Sequence, residues 1–297
     1  MKRLFICLLA LVSLLSQEAM AGDVLSVSDS LIRAGGDYTE CRNMLEKALA
    51  DATHGKQKAE IYWRLSMLSF ISGETESTKE GKRAAFGKGI SYAEAGISEN
   101  PSSPDCYMWH SANVGRECQT RSLMEQASKV PVLTKDLQTI LDKLGKTEYS
   151  AAWQAFAEIY YNHPFKSTDS AINYARKAAM CIPKGELRLS TYSFLAKLLY
   201  ERNWSREKRK ETAAANADRF KNGKFKSIVD RYEYFDGSLA AGYKPQWAAA
   251  AFTDMSDRQE AMALVDYALK LYGKSPVHYP TDKKDHAELV KLKNQWK

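Results

Sequence analysis

The densest charge in the chain lies in residues 202–226, where Arg202, Arg206, Lys208, Arg209, Lys210, Arg219, Lys221, Lys224 and Lys226 face only Glu207, Glu211 and Asp218. Trp204, Phe220 and Phe225 are interleaved with them. Cations alternating with aromatics suit anion binding, to a nucleic acid or an anionic membrane. The same pattern arises from one solvated helix face followed by a loop. The basic patch in either case is Arg206, Lys208, Arg209, Lys210, Arg219, Lys221, Lys224 and Lys226. Asn203-Trp204-Ser205 has the form of a glycosylation acceptor.

Signatures of catalysis are missing. Gly81 to Gly89 resembles a phosphate loop, but a motif ending in Gly87-Lys88 needs Gly at 82 and Ser or Thr at 89, where the chain has Lys82 and Gly89. No His-Glu-x-x-His, Gly-x-Ser-x-Gly or Cys-x-x-Cys occurs, and His54, His110, His163, His278 and His286 are never paired at ligand spacing. Neither a metal nor a cofactor is expected. Cys41, Cys106, Cys118 and Cys181 read as buried free thiols. On one helix Cys106 and Cys118 stand about 18 Å apart, beyond disulfide reach.

The N-terminus has the three parts of a cleavable export signal: Lys2-Arg3, the apolar run Leu4 to Leu15, and Ala19-Met20-Ala21 before Gly22. The run is too short to span a bilayer, which takes roughly 20 residues. Ile6 before Cys7 does not fit a lipid-attachment site. A periplasmic or secreted chain of residues 22–297 is expected, with no transmembrane segment. Losing Lys2, Arg3 and Glu18 reduces the formal charge from +7 to +6. Export lowers the prospect of nucleic acid as a partner.

Apolar residues recur at three and four positions, as in Leu187 to Leu199 and Ala261 to Leu271, and strict alternation is hard to find. Gly and Pro cut the chain into segments of helical-hairpin length. Four segments share a small or apolar residue at x, x+4 and x+7: Cys41/Leu45/Ala48, Gly89/Ala93/Gly96, Ala171/Ala175/Ala178 and Ala261/Val265/Ala268. The last three end in Pro101, Pro183 and Gly273. Small side chains let helices approach closely, and the breaker turns the chain into the next unit. Leu137/Leu141/Leu144 and Ala213/Ala217/Phe220 extend the phase to six second helices. Asp257 with Glu260 looks like the capping box of the last one.

Gly36-Asp37-Tyr38-Thr39-Glu40-Cys41 leading to Lys47-Ala48-Leu49, and Ala171 to Ala178 ending at Pro183, resemble the turn and second helix of the tetratricopeptide repeat family. Trp153, Phe156, Ala157 and Tyr160 match its first helix, with two extra residues in the turn at His163-Pro164. The resemblance implies an all-α, right-handed solenoid of helix–turn–helix hairpins, in about six irregular units over 22–275, with a capping helix in 276–297. One hairpin cannot bury its apolar face alone, and stacking makes a continuous core.

The family's concave, ligand-facing positions carry over to Glu60, Trp63, Met67 and Phe70, to Met108 and Trp109, to Gln154, Glu158 and Tyr161, and to Lys197 and Tyr200. Trp63 and Trp109 fit a core role equally well. Asn100-Pro101, Cys106 to Trp109 and Gly115 are similar to two divergent branches, the periplasmic partners of TRAP-type solute transporters and the regulators of microtubule dynamics. Only the first suits an exported chain. The leading expectation is a non-catalytic scaffold for a protein or peptide partner in the cell envelope. A transporter accessory holding a small solute is the runner-up, and a hydrolase with a dispersed site is the third class.

Overall fold

A computed structural model of the protein describes residues 23–163 and 166–296. The segment 1–21, read above as an export signal, and the turn residue Pro164 lie outside the described residues. The fold is all-α, with no strand among the described residues. Its helices form two compact units, one up to Asp136 and one from Leu137.

In the first unit, α1 (23–34) is followed by α2 (Tyr38–Asp51), α3 (Gly55–Thr75), α4 (Lys79–Glu99), α5 (Pro104–Gln119) and most of α6 (Leu123–Gln138). Local chemistry sets several of their starts. The Asp37 carboxylate accepts from the amides of Thr39 and Glu40 ahead of α2, the Thr78 hydroxyl accepts from Gly81 ahead of α4, and Pro104 occupies the first turn of α5. Helix α3 packs on α2, α4 and α5, and α4 also packs on α5. The small residues are where helices come closest. A Cβ added to Gly89 would lie 2.3 Å from Asn113 Oδ1, and one on Gly96 would lie 2.6 Å from Cys106 Sγ.

The second unit begins with a π-helical turn (Thr139–Lys143) and continues with α7 (Ser150–Asn162), α8 (Thr168–Met180) and α9 (Leu189–Arg202). After these come α10 (Arg206–Asn222), α11 (Ile228–Tyr232), α12 (Asp257–Lys274) and α13 (Pro280–Gln295), with 3-10 turns at Phe235–Leu239 and Phe252–Asp254. Leu137, Ile140 and Leu141 are buried, so the anchors assigned to a third second helix fall where α6 gives way to the π turn. The Trp153 ring lies 5.9 Å from Tyr174 and 4.7 Å from Tyr232, and its Nε1 donates to the Thr147 carbonyl at 2.8 Å. Trp153, Phe156, Ala157 and Tyr160 are all buried core.

Two expectations are corrected in this unit. Helix α9 takes α12 as its packing partner rather than α10, the helix that follows it. The fifth and sixth expected hairpins therefore share one helix pair, and residues 203–256 are an insertion within it. Ala213 and Phe220 of α10 pack with Phe235, Leu239 and Phe252 of the same insertion. The capping box of α12 is also one residue earlier, made by Ser256 and Gln259, which leaves Asp257 and Glu260 free for another role.

Helix α13 covers α9 and α12. Leu289 and Leu292 are buried, Lys293 pairs with Asp266 at 2.7 Å, and Trp296 stacks on Tyr200 with centroids 4.1 Å apart and planes 5° from parallel. Trp296→Ala is expected to cost about 1–2 kcal/mol. Hydrogen exchange should accelerate in 280–295 while α7 and α8 keep their protection; unchanged exchange in α13 would show that the stack is not what holds it.

Candidate functional site

In the first unit the carried-over positions lie along α3 and α5. Glu60 and Trp63 are already engaged. Arg64 donates through Nη1 to Glu60 Oε2 at 3.0 Å and through Nε and Nη2 to the two oxygens of Asp29 on α1, each at 2.8 Å. Its guanidinium lies 4.0 Å from the Trp63 centroid, and Trp63 Nε1 donates to the same Glu60 oxygen at 2.9 Å. These side chains fasten α1 to α3.

One turn further along, Met67 and Phe70 stand half-buried on α3, with Met108 and Trp109 half-buried on α5. Phe70 meets Trp109 edge-on at 5.6 Å and Phe86 at 5.8 Å. The Arg116 guanidinium sits 5.8 Å from the Phe70 ring and pairs with Glu74 at 3.0 Å. The result is a partly open aromatic patch with one fixed charge pair at its side. Aromatics, Met and Arg are the residue types enriched where proteins bind one another.

In the second unit the positions lie on α7 and α9, with α13 packed on α9. Gln154 accepts from the Thr191 hydroxyl and donates to Glu158 at 3.1 Å. Tyr161, 39% exposed, packs edge-on against Phe194 at 6.1 Å and donates to Glu201 at 2.8 Å. Lys197 pairs with Glu288, and Tyr200 lies between Trp296 and the Arg258 guanidinium, 4.6 Å away. Lys197 and Tyr200 are thus covered by the chain's own last helix. Phe70, Gln154 and Tyr161 each touch the following first helix, which a single-helix pattern does not reveal.

The basic window divides. Arg209 is fully buried and is not part of any patch. Arg202 is turned to Asp257, with Nε 2.8 Å from Oδ2, and to Asp169 at 3.1 Å. At 3.6 residues per turn, Arg206, Lys210 and Lys221 fall on one flank of α10 and Lys208 and Arg219 on the other. Glu207, Glu211 and Asp218 form the exposed ridge between the flanks. Arg206 pairs with Glu207 at 3.1 Å and Lys208 with Glu211 at 3.4 Å, while Arg219 lies over Tyr234 at 4.0 Å. Lys224 and Lys226 follow the helix and are exposed. The window is a mixed-charge solvated helix with two arginines turned inward.

Those arginines belong to a buried ionic cluster that sequence inspection missed. Glu260 of α12 accepts from Arg176 Nη2 of α8 at 3.0 Å, from Arg209 Nη2 of α10 at 2.7 Å and from Trp247 Nε1 at 3.3 Å. Both guanidiniums lie over the Phe252 ring, at 4.7 and 4.5 Å, and Asp257 adds a second carboxylate 3.4 Å from Arg209. Burial alone would push the Glu260 carboxyl up. The two guanidiniums overcome it and hold it at about 2, so it stays ionised. The cluster fastens the insertion to the α8 and α12 helices. A signal was present in Arg176, a long cation inside the alanine-rich run Ala171 to Ala179, but nothing local names its partner 84 residues away.

Among the described residues the cysteines, Cys41, Cys106, Cys118 and Cys181, are free. Burial raises the Cys106 thiol to about 11 and the Cys181 thiol to about 12, which keeps both protonated and poorly nucleophilic. Among the described residues no group of three His, Cys, Asp or Glu is placed to hold a metal ion, and no helix is long and apolar enough to cross a membrane. His278 and His286 stack on opposite sides of Tyr272, at 3.8 and 4.0 Å. Compared with protein-family models the chain matches none, and no curated protein matches it.

Proposed function

We propose that the chain is an exported, non-catalytic scaffold of tetratricopeptide-like hairpins that takes a protein or peptide partner in the cell envelope on its first-helix surfaces. One observation carries the reading: Phe70 of α3 and Trp109 of α5 meet as a half-buried aromatic pair with the Arg116–Glu74 pair fixed beside it, and Met67 and Met108 stand half-buried on the same two helices. Rigid aromatics supply contact area at low entropic cost, and a held ion pair orients a polar partner without a new desolvation step at each charge. Helix α4, which packs on both α3 and α5, presents small and charged residues such as Ala84, Lys88 and Ser91 to solvent.

The test is photocrosslinking in intact cells from a reactive residue placed at Met67 or Met108, with Ser91 on α4 as the comparison position. A discrete adduct in the envelope fraction from positions 67 and 108, absent from 91, is expected. Equal labelling at all three positions, or none at any, overturns the reading.

A further inference from the structure

Helix α13 is divided by its own packing into an inner face that holds its carboxylates and an outer face that holds its lysines. Leu289 and Leu292 are buried against the fold, and the acidic residues turn inward with them. Asp282 accepts the main-chain N–H of Tyr279 at 2.9 Å, Asp285 is half-buried, and Glu288 pairs with Lys197 of α9. At about 100° per residue, Lys283, Lys284, Ala287, Val290, Lys291 and Asn294 fall within an arc of about 120°, and all six are exposed.

The end of α12 extends this face. Lys270 and Lys274 continue the i, i+4 stripe that begins at Asp266, the residue Lys293 reaches from α13 at 2.7 Å, and both are exposed. Among the described residues the ion pairs of α13 are Lys293–Asp266 and Glu288–Lys197, which leaves Lys283, Lys284 and Lys291 unpaired, like Lys270 and Lys274. Val277, in the connection between the two helices, is 52% exposed and Val290 38%. On α10 an exposed ridge of Glu207, Glu211 and Asp218 separates the cations, whereas α13 has no exposed acidic residue.

We propose that the outer face of α13, with Lys270 and Lys274 beside it, docks on an anionic phospholipid surface. Unpaired lysines are attracted to anionic headgroups, and an ammonium is a point charge that needs no directed acceptor. The two valines supply apolar contact at the boundary between headgroups and acyl chains. From Lys283 to Lys291 the stripe runs about 12 Å along one helix, which can lie flat on a bilayer. A protein partner would be expected to meet aromatic residues or Arg, and the arc carries neither.

Cosedimentation of residues 22–297, which contain every described helix and omit the apolar run Leu4 to Leu15, tests this on vesicles of equal parts phosphatidylglycerol and phosphatidylcholine and on vesicles of phosphatidylcholine alone. Binding to the anionic vesicles only, falling as salt is raised, is expected. Lys283→Gln, Lys284→Gln and Lys291→Gln together should weaken it on the order of a hundredfold, at about fivefold for each lysine. Lys221→Gln, Lys224→Gln and Lys226→Gln remove the same charge elsewhere and should weaken it by less than about fivefold in all. Val277→Ser with Val290→Ser should weaken vesicle binding several-fold and leave retention on polyglutamate unchanged. All these side chains are exposed, and helical circular dichroism equal to that of the native chain shows that the variants fold. Equal binding to neutral vesicles, no binding to either kind, or equal losses in the two lysine variants overturns the proposal. So does vesicle binding that the valine variant leaves untouched, which assigns the face to an acidic polymer instead.

Discussion

Glu260→Gln is expected to lower the stability of the chain by about 3–5 kcal/mol, because it leaves Arg176 and Arg209 buried with their shared charge partner gone. Both guanidiniums are within 1% of full burial, so water cannot take over. Chemical denaturation followed by helical circular dichroism measures the loss. Replacing all three residues by Met should cost much less, within about 2 kcal/mol of the native chain, since an apolar core needs no charge balance. A single variant as stable as the triple variant would contradict the assignment.

The same cluster sets a pH dependence. The Glu260 carboxyl titrates at about 2 in the folded chain, below its ordinary range. Its stabilisation is therefore complete above the unfolded value of about 4.3 and is lost as the pH falls through that value to about 2. The penalty of Glu260→Gln should accordingly be largest near neutrality and shrink across that acid window. A penalty independent of pH between 7 and 3 would point to lost shape rather than lost charge.

Gly89→Ala and Gly87→Ala, two positions apart on α4, are expected to act in opposite directions. A methyl on Gly89 would stand 2.3 Å from Asn113 Oδ1 and 2.7 Å from its Nδ2. Asn113 cannot swing aside without losing its bonds to Ser66 Oγ at 3.0 Å and to the Trp109 carbonyl at 2.9 Å. Overpacking and the broken buried hydrogen bonds together should cost about 3 kcal/mol. Gly87 has no atom within 4 Å of its added Cβ, so alanine there should stabilise by about 0.4–1 kcal/mol through the unfolded chain. Thermal melts of the two variants decide it, and shifts of the same sign would sink the close-approach explanation.

The contrast between these glycines shows what was legible locally. Spacing singled out Gly89 with Ala93 and Gly96, and each is buried against a neighbouring helix. The same holds for Cys41 and Leu45, for Ala171, Ala175 and Ala178, and for Ala261, Val265 and Ala268. A helix's period depends on bonds four residues apart, so a short window contains it. Trp153 and Tyr160, matched above to the first helix of the repeat only by resemblance, are buried as well.

The candidate site was only partly legible. Phe70 and Trp109 do share a patch, whereas Glu60 and Trp63 are taken by Arg64, and Tyr200 by Trp296. Each of those outcomes depends on which other helix lies across the seam. In the basic window the solvated helix face was legible but the place of Arg209 was not, because counting charges treats it like Lys210, although one is buried and its neighbour is exposed.

By itself the sequence determined that this protein is all helical, where most helices start and stop, and which small residues face inward. Those properties follow from propensity, capping and periodicity, which act over a few residues. Only the tertiary structure decided that α9 pairs with α12 across the insertion 203–256 and that Arg176 and Arg209 share Glu260. It alone joined Glu288 of α13 to Lys197 of α9. Several helices of similar period could have packed on α9, and the choice among them was made by the summed burial and charge pairing of residues far apart in the chain, which no local pattern records.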